Sequence, residues 1–581
     1  MGRNNEKTTN NINCYRNREL KYSNMAFSVK KNVLHTVAMI KAYGVKHIVV
    51  SPGSRNAPLM QTFSEDPYFE CHVIVDERNA AFYALGIIQA TKQPVVVCCT
   101  SGTALLNFAP AVAEAYYQQL PLIVVSADRS SEWIGQMDGQ TLPQAGVFGS
   151  MVKKTVNLLE INTSQDEWFC NRLINEALIA SLDNAPGPVQ INVPISEPLF
   201  DYSVDELPQV RKIDKAATQK IVDINPFAKS WSSLPKRMII VGQMFKDERM
   251  TAVLENLSMR GDCVVLAEYI SNCVSPLFIS NFDAWLYAMP EDQKGDYAPD
   301  LVITLGGHIV SKRLKQFLRT HKPHSHWLLT QSGEVADLFQ SLTDLIETDN
   351  RQFLTDLNTA IAEDNEKPYH SLWKNVSDKI KEPSSDIPFS DIQAVGQFLN
   401  LLPENATLHL ANSSTVRNVQ LYAPQKSWNV YCNRGTNGIE SSLPSAIGFA
   451  AVHEGITYLI IGDLSFFYGL NSLWNIGYIK NLRILLINNG GGGIFHLLSG
   501  LNKAPSLKKY VAATHHTDAA KWAEAAGLNY LSAKDKNELT EALSKFVDDT
   551  ASGAALLEVI TDMEISKTTF KDYYHQLKTI N

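Results

Sequence analysis

Paired cysteines are missing from this chain. Eight cysteines are scattered over 581 residues without a Cys-x-x-Cys. That excludes a disulfide framework and fits reduced thiols in a cytoplasmic protein. Long apolar runs are missing too. None approaches the roughly 20 residues that cross a bilayer, so no membrane insertion is expected. Positive charge is not in excess: the net charge of −8 argues against a nucleic-acid binder. Residues 1–24 are rich in Asn, Lys and Arg and have no apolar core of a signal peptide, so they read as a disordered N-terminal extension. No short-period repeat is visible. The central third has no Gly-x-Gly-x-x-Gly, which disfavours a bound dinucleotide there.

Hydrophobic residues make up 45% of the chain and charged residues 19%, enough apolar surface for large cores. The length suggests about three to five domains at roughly 100–200 residues each. From Met25 onward, apolar strands alternate with helices. Strands are predicted at His47–Val50, Pro94–Cys99, Pro121–Ser126 and Pro188–Val193, then at Arg237–Val241, Cys263–Ala267, Asp300–Thr304 and His326–Leu329. A third set follows at Thr407–Ala411, Ser427–Tyr431, Thr457–Ile461, Leu482–Ile487 and Ala555–Ile560. Helices are predicted between them, among them Glu77–Thr91, Leu105–Tyr117, Ser311–Thr320, Leu443–His453 and Gly469–Ile479. Such alternation means parallel sheets covered on both faces. The expected fold class is α/β, three tandem open parallel-sheet domains over 25–205, 206–370 and 371–581. Cys98 and Cys99 are expected to pack as core.

Two acidic elements lie nearly four hundred residues apart. Glu77 opens an apolar helix, a place where the helix dipole alone favours a carboxylate. Asp463 ends the strand Tyr458-Leu-Ile-Ile, and Asn488-Asn489 ends the next one, 26 residues on. Ligands of open parallel sheets bind at such strand ends. An Asp and an Asn there, with a Gly491 carbonyl, are the hard oxygen ligands that Mg²⁺ (or Mn²⁺) takes together with phosphates. The glycines at 490–493 also suit a simple turn. Taken together, the elements suggest a thiamine diphosphate enzyme. Glu77 would bond the cofactor's pyrimidine nitrogen, and Asp463, Asn489 and Gly491 would hold the diphosphate through the metal.

Six segments make the likeness narrower: Ser51-Pro-Gly-Ser-Arg-Asn-Ala-Pro-Leu, Asp76-Glu-Arg-Asn-Ala-Ala-Phe, Ser101-Gly-Thr-Ala, Ser126-Ala-Asp-Arg, Ser311-Lys-Arg-Leu and Asn488-Asn-Gly-Gly-Gly-Gly-Ile-Phe. From about Met25 to the C-terminus the chain resembles the 2-succinyl-5-enolpyruvyl-6-hydroxy-3-cyclohexene-1-carboxylate synthase family of menaquinone biosynthesis. The resemblance implies pyrimidine-binding, central and diphosphate-binding domains, in that order. It implies decarboxylation of 2-oxoglutarate and 1,4-addition of the succinic semialdehyde carbanion to isochorismate. A homodimer or homotetramer with sites at the subunit interface is implied as well.

Both substrates carry two carboxylates, and planar cations suit them. By resemblance the cations are Arg55, Arg129, Lys312, Arg313, Arg417 and Arg434, with Arg55 and Arg417 close to the chemistry. Ser54 and Gln140 are implied as polar contacts to substrate or intermediate, Gln140 among the catalytic residues. Asn412, Ser413, Leu464 and Ser465 are implied at the cofactor. Ile439 is implied as the apolar wedge that bends it, with Ile494 and Phe495 as an apolar wall. The chain departs from the usual Gly-Asp-Gly at Leu464, has Gly490 where close relatives have a third Asn, and matches only loosely around Gln140. His515-His516 reads as a loop that caps the following helix, and His72, His308 and His496 read as structural. Two alternatives stay open: another thiamine diphosphate-dependent 2-oxo acid decarboxylase or carboligase, and an inactive cofactor-binding paralogue.

Overall fold

The computed structural model describes residues 25–216, 220–362, 368–425, 427–547 and 553–579. The N-terminal extension expected over residues 1–24 lies outside the described residues.

Among the described residues, seventeen strands form three sheets, and every pairing within them is parallel. The first contains β1 (His47–Val50), β2 (Glu70–Val73), β3 (Val95–Cys99), β4 (Leu122–Asp128), β5 (Lys154–Asn157) and β6 (Val189–Pro194). Its order is β2-β1-β3-β4-β6-β5. The second contains β7 (Arg237–Val241), β8 (Cys263–Ala267), β9 (Leu301–Leu305), β10 (Ser325–Thr330) and β11 (Asp344–Glu347), in the order β11-β10-β9-β7-β8. The third contains β12 (Thr407–Leu410), β13 (Asn429–Cys432), β14 (Thr457–Gly462), β15 (Leu482–Asn488), β16 (Asn529–Ala533) and β17 (Ala555–Ile560). Its order, β13-β12-β14-β15-β17-β16, repeats the wiring of the first sheet strand for strand. The central strands are buried apolar runs, and Cys98 and Cys99 are fully buried in β3, as expected.

Four edge strands, β2, β5, β11 and β16, were not predicted. Each is largely exposed or half-exposed and carries no apolar run, so the pattern that marks a central strand is absent. The single helix predicted over 105–117 is two, Thr103–Asn107 and Ala109–Gln118. Pro110 stands in the first turn of the second; its ring clashes with the carbonyl four residues back, so one continuous helix cannot form. The helix predicted over 469–479 is instead a 3₁₀ segment, Leu470–Asn475, after a short helix, Asp463–Tyr468. The helix Tyr369–Ser377 spans the expected boundary at 370. It buries Trp373 against Trp285 of the central domain, stacked at 4.0 Å.

The first and third domains meet through two helices, Glu77–Thr91 and Ser442–Ala450, whose backbones touch. A Cβ on Gly86 would lie 2.0 Å from the Ser445 carbonyl oxygen, and one on Gly448 would lie 2.1 Å from that of Tyr83. Only glycine permits this approach. Ser445 Oγ donates to the Phe82 carbonyl at 3.1 Å and fastens the seam.

Candidate functional site

The parallel sheets place the singled-out residues at strand carboxyl ends. Arg55 follows β1, Glu77 follows β2, and Arg129 follows β4. Lys312 and Arg313 follow β9; Asn412, Ser413 and Arg417 follow β12; Arg434 follows β13; Asp463 follows β14; and Asn489 and Gly491 follow β15. This is the edge at which open α/β sheets bind ligands.

Asp463, Asn489 and Gly491 come together. The Gly491 N–H donates to Asp463 Oδ2 at 2.8 Å. Gly491 has φ +146°, and a Cβ there would lie 2.6 Å from the Ala512 carbonyl oxygen, so the loop requires glycine. The Asn489 amide nitrogen donates to Asp391 Oδ2 at 2.7 Å, while its Oδ1 is buried with no partner among the described residues. A buried acceptor without a donor costs about 1–3 kcal/mol. A hard cation between Asn489 Oδ1 and Asp463 would remove that cost, so the donor set fits Mg²⁺.

Two residues at this cluster escaped the sequence reading. Asp391, the first residue of the helix Asp391–Leu399, is buried and also accepts from Thr561 Oγ1 at 2.6 Å and Ser566 Oγ at 2.8 Å. Burial pushes its carboxyl up, and these donors oppose the shift. An acidic residue opening a helix looks like an ordinary dipole partner, so nothing local marked it. His515 lies in the loop before the next helix, as expected. Its Nδ1 does accept from the Thr517 N–H at 3.1 Å, yet its Nε2 lies 3.3 Å from Asp463 Oδ2. Asp463 raises the His515 pKa above the usual imidazole value.

Glu77 is half-buried at the first position of its helix. The neighbouring Asp76 serves as N-cap, accepting from the Asn79 N–H at 3.0 Å. Asp76 Oδ2 also accepts from Asn471 at 2.7 Å. Arg78 donates to the Tyr468 carbonyl at 3.0 Å. The residues flanking Glu77 therefore grip the C-terminal end of the helix Asp463–Tyr468, whereas Asp463 begins it. Those ends are roughly 9 Å apart at 1.5 Å per residue.

Of the expected cofactor contacts, Asn412 is saturated. It donates to the Asn433 and Gly438 carbonyls at 2.7 and 3.0 Å and accepts from Arg434 at 3.0 Å. It braces the loop that carries Arg434. Ser413 holds φ +73°, uncommon for a residue with a side chain, and its carbonyl accepts from Arg417 at 2.5 Å. The Leu464 N–H is taken by Asp463 Oδ1 at 2.6 Å, and Ser465 Oγ donates to the Ile439 carbonyl. Ile439 stays 36% exposed, an apolar side chain left uncovered beside the cluster. Ile494 and Phe495 are half-buried in the 3₁₀ turn Gly493–Leu497.

The cations fall into two groups. Arg55 and Arg129 form one. Arg55 is buried, donates to the Ile195 carbonyl at 2.8 Å, pairs with Glu197 at 2.9 Å, and keeps a buried Nε without a partner among the described residues. Burial and then Arg129 push its pKa down. Arg129 itself pairs with Asp138 at 3.1 Å. Ser54 and Gln140 are exposed nearby in sequence, Gln140 with φ +58° and its backbone over Gly102.

Arg417 and Arg434 form the second group, joined by Lys315, which the sequence reading missed. Burial and then Arg434 lower the Arg417 pKa; burial, Arg434 and Arg417 lower that of Lys315. Lys312 is exposed at the start of the same helix, Lys312–Thr320, and with Lys315 and Arg319 lines an open depression on its surface. Arg313 is otherwise engaged. It pairs with Asp283 and lies over the rings of Tyr287 and Tyr574 at 4.9 and 4.6 Å. Two buried carboxylates hold these loops. Glu268 accepts from the Val310 and Ser311 N–H groups, both at 2.7 Å, just before Lys312. Glu114, from the first domain, accepts from the Gly435 and Thr436 N–H groups at 2.7 and 2.6 Å, just after Arg434. Cations crowded together, with Arg434 buried and Arg417 and Lys315 half-buried, are suited to an anionic ligand.

Known proteins match this arrangement along most of its length. Residues 34–149 match the thiamine pyrophosphate enzyme N-terminal TPP binding domain, 198–410 the middle domain, and 412–559 the C-terminal TPP binding domain. A 2-succinyl-5-enolpyruvyl-6-hydroxy-3-cyclohexene-1-carboxylate synthase from Bacteroides thetaiotaomicron is 48% identical over 95% of this chain and 100% of its own. One of the same name from Phocaeicola vulgatus is 46% identical over 96% and 100%. In fold, the chain is similar to the crystal structure of benzoylformate decarboxylase from Polynucleobacter necessarius, with a TM-score of 0.69 over 92% of this chain and 99% of that one at 16% identity. Three parallel-sheet domains in this order, with their strand-end residues and these relatives, make one assignment: the chain belongs to the 2-succinyl-5-enolpyruvyl-6-hydroxy-3-cyclohexene-1-carboxylate synthase family of thiamine diphosphate enzymes.

Proposed function

We propose that the protein decarboxylates 2-oxoglutarate and joins the resulting four-carbon unit to isochorismate by 1,4-addition, the family's step in menaquinone biosynthesis. The observation that carries the reading is the buried, unpartnered Asn489 Oδ1 held beside Asp463 at adjacent strand ends. Asp463, Asn489 and the Gly491 carbonyl would hold Mg²⁺ or Mn²⁺ against the diphosphate. When bound, thiamine diphosphate supplies the electron sink for decarboxylation and the nucleophilic carbon for the addition.

This chain's residues do the rest. Glu77 would hold a proton at the pyrimidine nitrogen, its place kept by the Asp76 cap. Arg417, Arg434, Lys312 and Lys315 offer charge to one dicarboxylate, and Arg55 and Arg129, with Ser54 and Gln140, to the other. Arg313, spent on Asp283 and two tyrosines, would act by shaping the domain wall rather than by touching substrate. Ile439, Ile494 and Phe495 would exclude water where charge is dispersed during decarboxylation.

A homodimer or larger even assembly belongs to the same proposal. Val73 and Val75, just before Glu77, are exposed, as are Tyr468, Trp474 and Tyr478 beyond Asp463. Such an uncovered apolar surface around the Glu77 segment suits a second copy. A cytoplasmic location is also proposed: the seven described cysteines are free, and no helix among the described residues is long and apolar enough to cross a membrane.

The test is isochorismate consumption by purified protein with thiamine diphosphate and Mg²⁺. Consumption only when 2-oxoglutarate is present supports the reading. Release of CO₂ from 2-oxoglutarate without loss of isochorismate would replace it with a plain decarboxylase.

A further inference from the structure

The edge of the first sheet carries a cluster that the proposed chemistry does not use. β1 and β2 run parallel in a register that sets His47 opposite Glu70 and Val49 opposite His72. Side chains alternate along a strand, so His47, Glu70 and His72 stand on one face, with Ile48 and Cys71 on the other. His47 Nδ1 is 3.4 Å from Glu70 Oε2 and 3.4 Å from His72 Nε2. All three ligating atoms lie within 4.8 Å of one another.

Hydrogen bonding alone accounts poorly for this geometry. The His47 Nδ1 atom faces both a carboxylate and an imidazole nitrogen. One nitrogen carries one proton or one lone pair, so it cannot bond both neighbours at full strength. Imidazole ligates a metal through the lone pair of its neutral ring.

A cation at the centre satisfies all three lone pairs. Ligands about 2.0–2.1 Å from Zn²⁺ at a tetrahedral angle stand about 3.3–3.4 Å apart, close to both spacings found here. The outer atoms are also held. His72 Nδ1 lies 3.3 Å from Tyr83 Oη, and Lys46 Nζ lies 2.5 Å from Glu70 Oε1. Metal-ligating histidines and carboxylates are oriented by such neighbours. We propose that His47, Glu70 and His72 form a Zn²⁺-class site, with water at the fourth position, that ties the edge strand β2 to β1. The site is structural. β2 runs directly into the Glu77 segment, five residues beyond His72, so the metal would steady the strand that delivers the activating carboxylate.

The test uses full-length, tag-free protein stripped with chelator and returned to excess Mg²⁺, which Zn²⁺-class N/O sites bind poorly. Co²⁺ is titrated as the probe and followed by its intense tetrahedral absorption. One equivalent is expected, displaced by Zn²⁺, with Zn²⁺ also raising the Tm. In His72→Ala and in Glu70→Gln the Co²⁺ affinity should fall at least tenfold and the Zn²⁺ effect on Tm should vanish. Glu70→Gln keeps both imidazoles and changes a largely exposed side chain, so it remains informative if His72→Ala does not fold. No tetrahedral band in the wild type would mean a hydrogen-bonded pair only and would overturn the proposal. So would a band of unchanged affinity in either folded variant.

Discussion

The amide of Asn489 is aimed by Asp391. The nitrogen donates to Asp391 Oδ2 at 2.7 Å, which turns Oδ1 into a buried position with no partner among the described residues. Asp391 is itself pinned by Thr561 and Ser566. Outer contacts of this kind typically change metal affinity by about 10–100-fold when removed. Asp391→Ala is therefore expected to shift the Mg²⁺ dependence of activity to about 10–100-fold higher concentration. Mg²⁺ titrations of wild type and variant check this, and an unchanged midpoint would detach Asp391 from the metal.

Arg417 sits half-buried against Arg434, and that proximity lowers its pKa after burial itself. Arg417→Ala relieves repulsion, so its Tm should hold or rise. Substrate binding should suffer, because a charge-assisted hydrogen bond contributes about 1.5–3 kcal/mol, or roughly 10–100-fold. Steady-state kinetics and thermal unfolding of the variant test the pair of effects. A lower Tm with unchanged KM values would make Arg417 structural.

Glu268 is pushed up to about 7 by burial, which outweighs the Val310 and Ser311 N–H groups that oppose it. The folded protein then holds a proton that the unfolded chain releases from about pH 4.5 upward. The stabilising contribution is full below that pH and is lost as pH rises toward 7. The stability of wild type relative to Glu268→Gln should fall by about 3 kcal/mol across this window, at 1.36 kcal/mol per pKa unit. Unfolding midpoints of both proteins at several pH values from 4.5 to 8 measure the difference. A constant gap would contradict the buried carboxyl.

Gly86 and Gly448 allow the first and third domains to touch through their helices. Gly448→Val would drive a side chain into the Tyr83 carbonyl. Overpacking costs about 1–3 kcal/mol or more. The variant should unfold several degrees lower and lose activity together with the seam. A wild-type Tm would show that the seam yields.

Much of this was legible in the sequence because central parallel strands are apolar runs and the strand-end residues follow them directly. Arg237–Val241, Cys263–Ala267 and Ala555–Ile560 stand with the predicted bounds. Asp463 and Asn489 were readable from a strand followed by Gly-Asp and a strand followed by Asn-Asn. What was not legible depends on tertiary contact. Edge strands such as β2 have no apolar signature. Lys315 becomes a cation of the Arg417 group only through the packing of the central domain. Asp391 reaches Asn489 across 98 residues, and no local pattern encodes that meeting. Arg313, one residue along the helix from Lys312, meets Asp283 and two tyrosines, a set of contacts that sequence spacing does not encode.

The most direct test of the account concerns Glu77. Exchange of the thiazolium C2 proton of bound thiamine diphosphate can be measured by rapid quench in deuterated buffer, with wild type and Glu77→Gln saturated with cofactor and Mg²⁺. If Glu77 is the activating acid, exchange should slow by roughly 10²–10⁴-fold in the variant, and isochorismate consumption should slow with it. Equal exchange rates in two proteins that bind the cofactor equally would contradict the account.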